Sequence, residues 1–218
     1  MTIEEIENQI VKYIESEKKI FITSSFQTHS IPLLHILSRF AKNIDVLFLH
    51  TGFHFPETIS FRDQIVALLG LKLINVHSVV PKSKQKDENG QFHFVSDPDY
   101  CCFLNKTQPL EPYLMQYDIW ISGVRADQSA TRKKMKVEQS GPYDTTRFHP
   151  IIDWNSKQIY EYRKLHELPE HPLDAKGYQS IGCVPCTRKF DLSNERSARW
   201  FGMNKTECGL HTDLIKEK

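Results

Sequence analysis

Five cysteines stand in an uneven arrangement: an adjacent pair, Cys101-Cys102, a Cys183-x-x-Cys186 pair inside GCVPC, and a solitary Cys208. An odd number in this pattern does not resemble a secreted disulfide framework, and four plus one is the partition that suits chemistry. Adjacent cysteines in a strand point to opposite faces. On a helix they lie about 100° apart, and both sulfurs can reach one bulky object. The stretch DPDYCCFLNK begins with Asp97-Pro98, a helix-start signal, and the GCVPC turn sets two thiolates on one side. Two plus two thiolates match the four corners of a 4Fe-4S cluster. Four cysteines also make a closed zinc site, and buried or free thiols are a third reading, so the spacing speaks for metal before it says which metal.

Cys208 has no neighbour in this arrangement. A thiol attacks only as thiolate, which nearby positive charge favours. Arg196 and Arg199 are spaced i, i+3, so on a helix they present one cationic face, and their forked guanidinium groups suit sulfate or phosphate oxygens. The plainer readings are an inert buried thiol and a solvated helix face. Cys208 lies in a Gly-containing tail beside Glu207 and His211, and such a tail can move between a substrate and a second protein.

The elements that must position these groups follow from periodicity. Ile3, Ile6, Ile10, Tyr13 and Ile14 recur at helical spacing, KKIFITSS reads as a buried strand, and a helical stretch runs from about Ile31 to Phe40. IDVLFLHT is a second strand, 57–69 a helix, KLINVHS a third strand and YDIWISGV a fourth. Between the last two lies the polar segment PKSKQKDENGQ, read as an exposed loop. Asn155 followed by Gln158 resembles a capping box at the start of another helix. Strand and helix alternate, which is the pattern of an α/β fold with a mostly parallel sheet and helices on both faces. Ligands bind beyond the carboxyl ends of such strands, so the loops at Thr23-Ser24-Ser25, Thr51-Gly52 and Gly123-Val124-Arg125 should line one pocket. Neither G-x-G-x-x-G nor G-x-x-x-x-G-K-[ST] occurs, which argues against a dinucleotide fingerprint and a Walker loop.

With 28 Lys plus Arg against 27 Asp plus Glu in 218 residues, there is no global field to recruit nucleic acid or a membrane surface, and any anion site must be local. No apolar run is long enough to span a bilayer, and the acidic, amphipathic start lacks the marks of a secretory signal, so the expected address is cytoplasmic. One domain with a short appendage is the simplest organisation: a nucleotide-binding α/β domain over 1–190 carrying the cysteine pairs, and a C-terminal segment over 191–218 carrying Cys208.

The stretches HTGFHFPET, DYCCFLNKTQPLEP, ISGVRADQSATR, HPIIDW, HPLDAKGYQSIGCVPCTR and ECGLH resemble the assimilatory adenylyl-sulfate and phosphoadenylyl-sulfate reductases, in particular the iron–sulfur branch. The resemblance implies an adenine-nucleotide alpha-hydrolase-like fold, Rossmann-like in layout. It implies a 4Fe-4S cluster on Cys101, Cys102, Cys183 and Cys186, and Cys208 as the nucleophile that takes the sulfuryl group of adenylyl sulfate. It also implies thioredoxin or a glutaredoxin-like dithiol as reductant, and leaves a homo-oligomer open. Lys106, Arg196, Arg199 and His211 fall where the family places groups near the phosphosulfate, Arg125 and Gln128 match its G-x-R-x-x-Q-S stretch, and Ser24 and Ser25 its nucleotide loop. Departures stand beside these matches: FQTHS follows Ser25 in place of a Gly-containing stretch with an acidic residue, Asn105 replaces a basic residue, and Ala126 replaces a second arginine. Arg132, Arg147 and Arg188 are candidates to restore the lost charge.

Overall fold

A computed structural model describes residues 1–189, 199, 200, 202, 203, 205, 207–211 and 214. The chain opens with helix α1 (Ile3–Glu15), whose start is fixed by a reciprocal cap: Thr2 Oγ1 accepts from the Glu5 amide at 3.2 Å while Glu5 Oε2 accepts from the Thr2 amide at 2.7 Å. Strand β1 (Ile20–Thr23) leads through a loop to α2 (Ile31–Ser38), followed by β2 (Ile44–Leu49), α3 (Pro56–Leu69) and β3 (Lys72–Val76). Helix α3 ends at Gly70 in the left-handed region (φ 60°), where a residue without Cβ costs nothing sterically.

The polar excursion expected after β3 is present, and it returns through the short helices α4 (His93–Ser96) and α5 (Pro98–Cys102). One π-helical turn (Phe103–Thr107) joins α5 to α6 (Gln108–Leu114). Strand β4 (Ile119–Ser122), helix α7 (Ala130–Lys133), strands β5 (Glu138–Ser140) and β6 (Thr146–Phe148), and helix α8 (Ser156–Leu165) complete the regular elements. The capping box read at Asn155 forms: Asn155 Oδ1 accepts from the Gln158 amide at 3.0 Å and Gln158 Oε1 from the Asn155 amide at 2.9 Å.

The six strands lie in the order β3-β2-β1-β4-β6-β5, parallel except for β5, which pairs antiparallel with β6. Their central members are mostly apolar because both faces are covered, and successive side chains serve opposite cores. Ile20, Ile22, Val46, Phe48 and Ile121 pack with α1, α2, α3 and α8. On the other face Phe21, Leu47 and Trp120 pack with Leu110 and Leu114 of α6, and Leu210 and Leu214 of the C-terminal segment join them. The chain moves outward from β1 to β3 and then returns to place β4 on β1's other side, so the order reverses between β1 and β4. A crevice opens at that reversal, beyond the carboxyl ends of the two strands.

Candidate functional site

The crevice is a cavity of about 190 Å³. Thr23, Ser24 and Ser25 after β1 form one wall, Ser122, Gly123 and Val124 after β4 another, and Gln179 to Cys183 a third. The unusual FQTHS loop holds its shape by local bonds. Ser24 Oγ accepts from the Phe26 amide at 3.1 Å, and Gln27 donates Nε2 to Ser25 Oγ at 2.9 Å while its Oε1 accepts from the Ile181 amide at 2.8 Å. Gln27 therefore ties the first wall to the third. Phe26 sits at φ 52°, a conformation that favours glycine, and its ring is wholly buried against Phe48.

Beside the crevice lies the cysteine site. Asp97 caps α5 by accepting from the Tyr100 amide at 2.9 Å, and α5 carries Cys101 and Cys102. Cys183 caps and Cys186 ends a 3₁₀ turn (Val184–Cys186) with Pro185 inside it, closed by the Cys186 amide donating to Cys183 O at 3.0 Å. The turn is docked to the loop after β2: the Val184 amide donates to Phe53 O at 2.7 Å, and Thr51 Oγ1 lies 3.3 Å from Cys183 Sγ. All four cysteines line a second, smaller cavity together with Thr51, Asn105 and Lys106. Burial, followed by the neighbouring Cys102, Cys183 and Cys186, pushes the Cys101 thiol up to about 12, and burial then Cys183 push Cys186 up to about 11. Burial also raises Cys102, with Lys106 acting against it. These thiols hold their protons at neutral pH until something cationic arrives.

Asn105, in the π-helical turn, backs this site. It is 2% exposed, and its Nδ2 donates to Gln85 Oε1 at 2.6 Å and to Cys101 O at 2.9 Å, while Gln85 returns Nε2 to Asn105 Oδ1 at 3.0 Å. A reciprocal amide pair thus ties the polar excursion to the cysteine helix.

Lys106 belongs to both cavities. Its Nζ lies 3.8 Å from Cys208 Sγ. Burial opposes its charge, while the facing Cys102, Cys208 and Cys183, as thiolates, favour it and raise its pKa. Arg199 also lines the crevice, its guanidinium 4.6 Å from the Trp200 ring centre and its Nε donating to Cys186 O at 3.2 Å. Opposite them Arg132 lines the wall from α7 and pairs with Glu207 of the tail.

The structure brings Ser24, Ser25, Lys106, Gln128, Arg199 and Cys208 around one cavity. Thr51 lines the cysteine cavity instead, and Gly52 faces neither, its carbonyl accepting from Lys82 Nζ at 3.1 Å. Arg125 is buried away from the crevice, because the turn Ala126–Gln128 folds Asp127 back onto its Nε at 3.1 Å and Ser156 Oγ accepts from its NH2 at 3.0 Å. Arg196 and the His211 side chain lie outside the described residues. Glu207 and the pair Gln85–Asn105 take structural parts that spacing did not assign. Glu207 had one signal, its place beside Cys208, but its partner is 75 residues away.

Residues 19–189 match the family described as phosphoadenosine phosphosulfate reductase domain. An adenosine 5′-phosphosulfate reductase of Chelativorans sp. (strain BNC1) is 39% identical over 92% of this chain and 82% of its own length. A phosphoadenosine 5′-phosphosulfate reductase of Gloeobacter violaceus is 38% identical over 88% of this chain and 82% of its own. The crystal structure of phosphoadenylyl-sulfate reductase from Candida auris superposes with a TM-score of 0.68 at 21% identity, covering 84% of this chain and 89% of that one, which establishes the shared fold. With a matching family over most of the chain, close relatives along nearly all of it and the same doubly wound sheet, the chain belongs to the phosphoadenosine phosphosulfate reductase domain family.

Proposed function

We propose that the chain reduces adenylyl sulfate to sulfite and AMP, with Cys208 as nucleophile, in the assimilation of sulfate in the cytoplasm. The observation that carries this is the placement of the Cys208 sulfur 3.8 Å from the Lys106 ammonium, both lining the crevice where the strand order reverses. The name carried by the Chelativorans relative supports the unphosphorylated nucleotide.

The serines after β1 and the backbone after β4 hold the nucleotide, while Lys106 and Arg199 face the anionic phosphosulfate. Cys208, reacting as thiolate beside Lys106, forms a bond to the sulfuryl sulfur. The sulfur–oxygen bond to the phosphate breaks, its electron pair leaves on AMP, and the enzyme carries a thiosulfonate. A dithiol such as thioredoxin or a glutaredoxin-like protein then attacks the Cys208 sulfur, sulfite departs with the bonding pair, and the second thiol resolves the mixed disulfide. The dithiol supplies both electrons, and Cys208 returns as a thiol.

The four remaining cysteines fit a 4Fe-4S cluster. All four thiols border a common cavity. A two-plus-two set of thiolates around one cavity suits the four corners of such a cluster. Cys101, Cys102, Cys183 and Cys186 would hold it, and when bound it would supply a fixed link between α5 and the 183–186 turn beside Lys106.

Sulfite release measured anaerobically with a dithiol donor and either nucleotide tests the reading. Cys208→Ser should keep nucleotide binding and iron content while turnover vanishes, and wild type without reductant should carry a sulfonate on the Cys208 peptide. Full turnover in the serine variant, or an adduct on another cysteine, removes Cys208 from the mechanism. A second reading, reduction of the 3′-phosphorylated nucleotide, is supported by the name of the Gloeobacter relative, and a higher kcat/KM for that nucleotide would establish it.

A further inference from the structure

The carboxylate of Glu207 is saturated in a way that a surface residue near a chain end rarely is. The residue is 4% exposed. Its Oε2 accepts from Arg132 Nε at 3.1 Å and Ser129 Oγ at 3.0 Å, and its Oε1 accepts from Arg132 NH2 at 3.0 Å and from the Cys208 amide at 3.0 Å. Two of these four donors form the parallel fork that makes guanidinium–carboxylate pairs directional. A third, Ser129, is the N-cap of α7, accepting from the Arg132 amide at 3.3 Å, and Arg132 also donates to Gln128 Oε1. The fourth is the backbone of the reactive cysteine itself. The Glu207 side chain therefore fastens the Cys208 peptide to the β4–α7 wall of the crevice.

We propose that Glu207 is a positioning residue that works as a latch: its pair with Arg132 holds Cys208 at Lys106 over the crevice, and opening that pair is the step that exposes the cysteine to its dithiol reductant. The proposal rests on Cys208 being the reacting thiol, and the two ideas are separable because the latch is read by accessibility and the nucleophile by turnover of the serine variant. Pinning and release are both needed, since one sulfur must meet a nucleotide buried in a cavity and then a protein that cannot enter it. The sulfur contact with Lys106 fixes the side chain, and the Glu207 fork fixes the main chain. Glutamine at 207 keeps the shape and one acceptor but removes the charge that the fork requires. Aspartate keeps the charge and shortens the reach by one carbon.

The experiment is the alkylation rate of Cys208 by iodoacetamide in the full-length protein, followed by peptide mapping so that each cysteine is read separately. E207Q and R132Q should each accelerate alkylation at Cys208 by at least tenfold, and the double variant should react no faster than either single variant, because both break one contact. E207D should restore part of the protection. In turnover, E207Q should lower kcat more than it raises KM for adenylyl sulfate, since Glu207 itself does not line the crevice. If E207Q fails to fold, S129A removes one donor alone and should give a rise of a few-fold. An unchanged Cys208 rate in E207Q, equal acceleration at Cys101 and Cys186, or single effects that multiply in the double variant would each overturn the latch.

Discussion

Gly182 is the most sensitive point of the crevice that carries no functional group. A Cβ built there would lie 2.5 Å from Arg199 Cζ and 2.8 Å from NH1, and closer still to NH2, so the whole guanidinium plane is in the way. The backbone of Gly182 lies outside the left-handed region, so alanine meets no conformational penalty there. Gly182→Ala therefore acts on Arg199 alone, pushing it off the Trp200 ring and away from Cys186 O. A cation–π contact contributes about 0.5–2 kcal/mol and a charged hydrogen bond about 1.5–3 kcal/mol, partly recovered when the side chain finds water. Losing glycine's freedom in the unfolded chain returns only about 0.4–1 kcal/mol, so a net loss on the order of 1–3 kcal/mol remains and the melting temperature should fall by several degrees. If Arg199 faces the phosphosulfate, moving it forfeits one charged contact in the transition state, on the order of 1.5–3 kcal/mol, or about a ten- to hundredfold fall in kcat/KM. The assay is sulfite release from adenylyl sulfate by wild type, G182A, R199A and the double variant. In the R199A background the alanine should do nothing further. A G182A enzyme within threefold of wild type, or effects that multiply in the double variant, would refute the reasoning.

Three other perturbations read other parts of the molecule. Phe26→Gly and Phe26→Ala both lose a buried ring, about 3–5 kcal/mol, but at φ 52° the glycine variant should be the more stable by about 1 kcal/mol, the reverse of the usual order, as urea unfolding will show. Asn105→Leu leaves the Gln85 amide without its buried partner, which costs about 1–3 kcal/mol, and should lower Tm by several degrees and speed proteolysis of the 78–96 excursion. Burial holds His54, His149 and His171 down at about 4. Folded values below the unfolded 6.5 mean stability that is complete above pH 6.5 and lost as pH falls toward 4, on the order of 3 kcal/mol for the wholly buried His149. Unfolding midpoints between pH 7.5 and 4.5 should fall accordingly, and His149→Gln should flatten the curve.

Much of the sheet was legible because β1, β2 and β4 are buried on both faces and so read as largely apolar runs, broken only at Asp45 in β2 and by the hydroxyl residues Thr23 and Ser122 at the ends of β1 and β4. Strands β5 and β6 were not, since each has three residues and β5 lies at the sheet edge with two of them exposed. That the two cysteine pairs belong together was legible from residue type and spacing, and the structure brings all four to one cavity. Arg125 was assigned to the pocket because motif matching locates a residue along the chain and says nothing of the direction its side chain takes, which the Asp127 turn decides. The Glu207–Arg132 pair and the Gln85–Asn105 pair were invisible for a different reason. Their partners are brought together by tertiary packing across 75 and 20 residues, a separation with no period to detect.

The elevated thiol values of Cys101 and Cys186 bear on how these side chains react in the folded chain. Alkylation, oxidation and disulfide exchange all proceed through thiolate. With Cys101 at about 12 and Cys186 at about 11, the thiolate fractions at pH 7 are on the order of 10⁻⁵ and 10⁻⁴, far below that of an ordinary exposed cysteine. Four sulfurs crowded beside one another would otherwise be an invitation to form disulfides. Burial in a folded pocket instead keeps Cys101 and Cys186 chemically quiet, with their protons still attached.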